Sequence, residues 1–275
     1  MGPGHPECPE RLVAIEKALK TQALWPRLNH QQAKPVDRSL LRLTHTEDLL
    51  HRLESPVSDG AYAFIDPDTC MNTQTYEAIL LASGAVLQAI DAVMAGDSRH
   101  AFCAVRPPGH HAERESAMGF CFVNHIALGA LYARQKHGVE RVAVIDFDVH
   151  HGNGTEDILA NEKGVLMVSS FQQGIYPGSG TRPKGQNMVN VPLQAGAGSQ
   201  AIRLMLKNHW LPRAARVSAS TPTYFGGVRC SPRGPLGWPC LDRRRLCPYY
   251  RRAGWACRYL LPQSNRKQPR GGLLP

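Results

Sequence analysis

The residues best equipped for chemistry lie in two short stretches. Residues 142–154 read VAVIDFDVHHGNG, an apolar run that ends abruptly in Asp146, Asp148 and His150 before a glycine turn. Residues 106–111 read RPPGHH, a Pro-Pro-Gly turn followed by the adjacent pair His110 and His111. Charged groups buried at a strand's end are costly unless paired, so these need a partner. A divalent metal is the simplest one. On an extended strand alternate side chains share a face, so Asp146, Asp148 and His150 point one way if the strand stays extended. This donor set suits zinc or iron(II): it has too few sulfurs for a structural zinc and too much nitrogen for magnesium. A metal-bound water beside two histidines can hydrolyse an amide or ester, one imidazole taking the water's proton and the other protonating the leaving amine. Asp146 can orient His110 through a hydrogen bond, and the neutral Asn153 can hold His111. Different partners would separate the two imidazole pKa values, as an acid and a base require.

These residues need a scaffold, and the apolar periodicity supplies one. Helical spacing covers residues 10–20, 46–53, 73–94, 124–137, 155–159 and 199–210, with Gly96 stopping the third helix. Short apolar runs predict buried strands at 101–105, 142–147, 165–170 and 188–191, and a glycine-rich loop, residues 174–180, joins the last two. Strands and helices alternate from residue 101 onward. That pattern predicts an α/β chain with a parallel sheet covered by helices on both faces. Such sheets carry their chemistry beyond the carboxyl ends of the strands, where both histidine pairs fall.

The length, 275 residues, allows one large α/β domain or two small ones. No apolar run approaches the roughly 20 residues that span a bilayer; the longest, 78–90, is interrupted by Ser83, Gly84 and Gln88. The start of the chain lacks a basic segment followed by an apolar one, so a cytoplasmic location and no membrane partner are expected. The net charge of +10 is unevenly placed: residues 1–212 hold 19 Lys and Arg against 21 Asp and Glu, whereas residues 213–275 hold 13 against a single acid, Asp242. A basic tail on a balanced body does not argue for nucleic acid as the body's partner. None of the eight cysteines forms a C-x-x-C pair, which leaves zinc-ribbon and redox motifs unsupported.

RPPGHH, GFCFVNH, IDFDVHHGNGT and YPGSG together resemble the zinc-dependent histone deacetylase and acetylpolyamine amidohydrolase superfamily. HPECPERL and Asn153 lean towards its class II-like and bacterial members. The resemblance runs from about residue 4 to 212 and implies an arginase-like α/β fold that removes acyl groups from acetyl-lysine peptides or acetylated small amines. It makes Asp148 and His150 zinc ligands and His110 and His111 the tandem histidines. Phe120 and Tyr176 would wall the acyl tunnel, with the Gly119 carbonyl accepting the substrate's N–H. Monovalent, potassium-type cation sites near Asp146 and Ser169, and a place for Arg11 beside a product-exit channel, follow in the same way.

Two departures accompany the match. The superfamily's first strand should precede His5, where only four residues stand, so the sheet is expected to be incomplete at both ends. Its third metal ligand, an Asp in a Ser-Ala-Gly-Phe-Asp-Ala-His segment, and an oxyanion-stabilising Tyr in a Gly-Gly-Tyr segment have no counterpart after Pro212. Both reappear if the tail is read in a shifted frame. From Tyr224, synonymous codons read one base later can give I-S-A-G-F-D-A-H, the Asp codon straddling Arg229 and Cys230. Near the end they can give G-G-Y, the Tyr codon straddling Leu273 and Leu274. One extra base near Arg213 suffices. Residues 1–212 are therefore expected to be a partial catalytic domain, and 213–275 a disordered, out-of-frame tail. The expected outcome is a deacylase impaired in this chain; the alternatives are a non-catalytic remnant that binds an acyl-lysine peptide, or a basic nucleic-acid binder acting through the tail.

Overall fold

A computed structural model describes Gly2, residues 4–213 and the strand 223–227. Its centre is a four-stranded, wholly parallel sheet in the order β5-β4-β3-β6. The strands are β3 (Val142–Asp146), β4 (Val165–Gln172), β5 (Met188–Leu193) and β6 (Thr223–Gly227). A separate antiparallel pair, β1 (Ala63–Asp66) and β2 (Thr69–Met71), precedes them. The α-helices among the described residues include α1 (Glu10–Thr21), α2 (Glu47–Glu54), α3 (Thr75–Ala95), α4 (His125–His137), α5 (Asn153–Leu159) and α6 (Ser199–Met205), the last running on as a π-helix, Leu206–Trp210.

All eight residues of β4 are buried, as befits an inner strand of a parallel sheet with no solvent face. Its side chains divide by parity. Val165 and Met167 enter a core with Val142, Val144 and the apolar faces of α2, α3 and α4. Leu166 and Val168 enter a second core with Val189, Val191, Ile202, Met205 and Trp210. The sheet is thus covered on both faces, and this α/β layering is the architecture the alternation implied.

The local signals explain the helix ends. Asn124 caps α4 by accepting the Ala127 N–H at 3.0 Å, and Gly138 leaves it at φ +64°. Gly96, at φ +84°, ends α3. By length and composition α3 could cross a membrane, with 21 residues and a mean hydropathy of 1.8 over an 18-residue window, which corrects the expectation that no run comes close. The apolarity here serves the interior: Ile79, Val86, Leu87, Ile90 and Val93 are buried, and α3 packs on α4.

Two strand expectations need correction. Residues 101–105 are not a strand; Phe102 is half exposed, and among the described residues the stretch belongs to neither sheet. β3 also stops at Asp146 rather than running to Phe147. Of the tail, only β6 is described, pairing with β3 from Val142↔Thr223 to Asp146↔Gly227. The rest of residues 214–275, with the expectation of disorder and the shifted-frame codons, lies outside the described residues.

Candidate active site

The site forms where β3 gives way to loop. The Asp148 N–H donates to Asp146 Oδ1 at 3.0 Å and the His150 N–H donates to Asp148 Oδ1 at 2.8 Å, so each aspartate folds the following backbone around its own carboxylate. This corrects the expectation of an extended strand through His150. The consequence is nonetheless convergence: His150 Nδ1 lies 3.3 Å from Asp148 Oδ1. Two ligands of one tetrahedral zinc, each about 2.0–2.1 Å from the ion, stand about 3.3 Å apart. The pair therefore fits the bite of a metal. Among the described residues no set of three His, Cys, Asp or Glu side chains is placed to hold one.

The tandem histidines lie against this pair. His110 Nδ1 is 2.9 Å from Asp146 Oδ2, and its Nε2 is 4.0 Å from Asp148 Oδ1. His111 Nδ1 is 2.8 Å from Asn153 Oδ1. The two imidazole centroids are 4.0 Å apart, and that of His111 is 5.8 Å from His150. His110, His111, Asp146, Asp148 and Asn153 are all buried. One histidine thus rests on a carboxylate and the other on an amide.

Glycines allow this close approach. A Cβ on Gly152 would sit 2.3 Å from Asp146 Oδ2, and one on Gly154 would sit 2.1 Å from the Ala112 carbonyl oxygen. The Gly154 and Thr155 N–H groups both donate to the His110 carbonyl at 3.1 Å, laying the histidine loop on the start of α5. Its other side is held by two further histidines that the sequence reading passed over. His45 accepts the Asn124 N–H at 2.9 Å and donates to the Glu113 carbonyl at 2.9 Å. His125 bridges Ser83 Oγ at 2.9 Å and the Pro107 carbonyl at 3.1 Å. Burial pushes both pKa values down to about 4, so both rings are neutral at neutral pH.

The substrate-wall candidates lie beside the histidines. The Tyr176 ring meets His111 edge-on at 5.0 Å and His150 at 5.9 Å. Burial first, then the charges of Asp68 and Asp66, push its phenol pKa up, which keeps the hydroxyl protonated. A Cβ on Gly119 would fall 2.7 Å from His111 Cδ2 and 2.8 Å from Tyr176 Oη, so Gly119 closes the wall between them. Phe120 follows at φ +68°, its N–H on Thr69 Oγ1 at 2.9 Å and its ring edge-on to His5 at 4.6 Å. Arg11 pairs with the buried Glu7 at 3.2 Å, and Arg106 binds the same carboxylate. Ser169 is fully buried, 3.4 Å from His151 Nδ1.

Residues 5–221 match the family model for the histone deacetylase domain. The chain belongs to this family. Its members are hydrolases, and they are generally metal-dependent. The chain is similar to the histone deacetylase-like amidohydrolase of Pseudomonas aeruginosa, with 38% identity over 85% of this chain and 63% of that protein. It is also similar to a probable deacetylase of Archaeoglobus fulgidus, with 32% identity over 81% of this chain and 66% of that one. It therefore spans about two thirds of the length of these relatives. The crystal structure of the HDA15 HD domain superposes with a TM-score of 0.80 at 31% identity, covering 91% of this chain and 73% of that one. The fold is accordingly the deacetylase-type α/β fold.

Within this histone deacetylase domain the sequence reading missed Glu113, whose carboxylate accepts from Asn153 Nδ2 at 2.7 Å. It also missed the buried pair His151 and Glu156, 2.8 Å apart. Glu113 had a signal, standing two residues after His111. His151 had none apart from its twin, because which of two adjacent histidines faces the site depends on the turn at Asp148.

Proposed function

We propose that this domain hydrolyses the amide of an acetylated amine, an acetyl-lysine peptide or an acetylated small amine. The observation that carries the reading is the convergence of two differently supported histidines, His110 on Asp146 and His111 on Asn153, upon the Asp148–His150 pair. Asp148 and His150 would hold the ion, zinc first and iron(II) as the alternative. When bound, such an ion polarises a carbonyl and lowers the pKa of its water. The chain's own groups do the rest. Of His110 and His111, one takes the proton of the attacking water and the other returns a proton to the departing amine nitrogen. Asp146, held by the Asp148 N–H, stabilises the charge on His110 when it is protonated. Phe120 and Tyr176 exclude water around the acyl arm, and the Gly119 carbonyl accepts the substrate's N–H. A monovalent cation of the potassium type beside Asp146 and Ser169 would stiffen the loop.

We further propose that this chain is impaired relative to its parent, and that its tail from about residue 214 is out of frame. Only two metal donors converge among the described residues. On the side of β3 away from β4 lies β6, within which the shifted frame begins to read I-S-A-G-F-D. Gly227 is the ladder partner of Asp146, and the Asp codon opens within the codon of Arg229, two residues after Gly227 just as Asp148 is two after Asp146. The same shortage of donors favours a second reading, a remnant that binds the acyl-lysine arm without cleaving it.

Metal analysis and acetate release separate these readings. A frame-corrected chain should carry one zinc and release acetate from an acetyl-lysine peptide or an acetylated polyamine, and this chain should do much less of both. Loss of an oxyanion donor alone costs about 10²–10³ in rate. A zinc-loaded, frame-corrected protein that cleaves neither substrate removes the hydrolase reading. An in-frame read of the gene through codon 213 removes the frame proposal.

A further inference from the structure

The second histidine is backed by more than a neutral amide. Asn153 Nδ2 faces three groups: Glu113 Oε1 at 2.7 Å, Met118 Sδ at 3.4 Å and the His111 carbonyl at 3.5 Å. A carboxylate, a thioether and a carbonyl can accept a hydrogen bond, and none of them can donate one. The end of the amide that meets them must be its NH₂. The other end, Oδ1, therefore faces His111 Nδ1 at 2.8 Å, and an amide oxygen only accepts. The proton between them belongs to the ring. This places the hydrogen of neutral His111 on Nδ1 and leaves Nε2 as its basic nitrogen.

Free neutral histidine prefers the opposite tautomer, with hydrogen on Nε2, so the site has to impose this one. Asn153 by itself does not. Its amide presents an acceptor or a donor according to a half-turn about one bond, and turned over it would fix the wrong form. Asp146 needs no such control, because a carboxylate accepts from His110 Nδ1 whichever way it is turned. Of the three groups around the NH₂, Glu113 is the nearest and the only charged one, and hydrogen bonds to charged acceptors are about twice as strong as neutral ones.

We propose that Glu113 is a positioning residue that sets the tautomer of His111 through Asn153. Glu113 touches neither substrate nor metal in this role; it orients an amide, and the amide orients a base. The geometry stands on its own, and its meaning for catalysis rests on the hydrolase reading of the same site.

The test uses this chain labelled with ¹⁵N in its histidines, near pH 8, where an ordinary imidazole with pKa about 6.5 is neutral. The His111 signal, identified by its loss in His111→Gln, should show a protonated, pyrrole-type Nδ1 and an unprotonated Nε2. The reverse pattern in the unaltered chain overturns the proposal without any variant. Glu113→Leu, which removes the acceptor, should move the pyrrole-type signal from Nδ1 towards Nε2. Glu113→Gln, which keeps an acceptor oxygen, should restore it, and Asn153→Leu should lose it altogether. If Glu113→Leu has the tautomer of the unaltered chain, Asn153 is held without Glu113 and the proposal fails. In a frame-corrected, active protein Glu113→Leu should lower kcat and leave KM in place, since a wrong tautomer affects the proton transfer and not substrate contact. Failure of that protein to turn over at all would sink the hydrolase reading and leave the NMR result standing.

Discussion

Each catalytic candidate owes its place to a neighbour that tolerates nothing larger or nothing different. Asp146 reaches His110 because Gly152 has no Cβ, and the histidine loop touches α5 because Gly154 has none. Gly154→Ala would push a methyl group into the Ala112 carbonyl, a backbone atom that cannot swing aside. It should lose about 1–3 kcal/mol of stability, read as a lower urea midpoint. Asp146→Asn keeps the shape but can offer an NH₂ to His110 Nδ1. In a zinc-loaded, frame-corrected protein it should lower kcat by about 100-fold or more, with zinc content unchanged. If turnover survives that exchange intact, Asp146 does not support a catalytic histidine.

At the scale of the element, β4 decides whether the two cores stay on their own faces of the sheet. Met167 is fully buried on that strand and packs in the larger core. Met167→Ala should cost about 2–5 kcal/mol. Leu204→Ala, on α6 and half exposed, should stay within about 0.5 kcal/mol. Equal losses in chemical denaturation would contradict the burial of Met167 and the exposure of Leu204. The helices and three of the sheet's strands were legible because their apolar periods and glycine stops are local. Residues 101–105 were not: the stretch is apolar enough for a strand, but a strand also requires a partner, and periodicity carries no information about one.

The whole molecule carries an acid weakness. His45 and His125 have pKa values near 4 in the folded chain, against 6.5 for an ordinary histidine, because burial opposes their charging. Above pH 6.5 both are neutral whether the chain is folded or not, and they cost nothing. As pH falls from 6.5 to 4 the unfolded chain takes up protons that the folded chain refuses, so stability declines through that window and levels off below it. The full effect is of order 3 kcal/mol per histidine. The urea midpoint should fall steadily between pH 6.5 and 4, and His125→Gln should flatten part of the slope. A midpoint that holds constant across this range would show that these rings accept protons without unfolding. The loop they clamp carries His110 and His111, so acid should loosen the candidate site as it destabilises the fold.

The sequence by itself was enough for the α/β scaffold and for the reading of the site proposed above, with Asp148 and His150 as donor pair and His110 and His111 as proton carriers. Residue types and short spacings are enough for that, since ligand preference and strand or helix period are properties of a few neighbouring residues. Only the tertiary structure decided the support. His110 meets Asp146 across 36 positions, and Glu113 meets Asn153 across 40. It also turned the chain at Asp148, so that His150 faces the site and His151 the interior. Such pairings depend on which strands lie side by side and in what register, and a hydrogen bond between distant residues leaves no period in the chain to read.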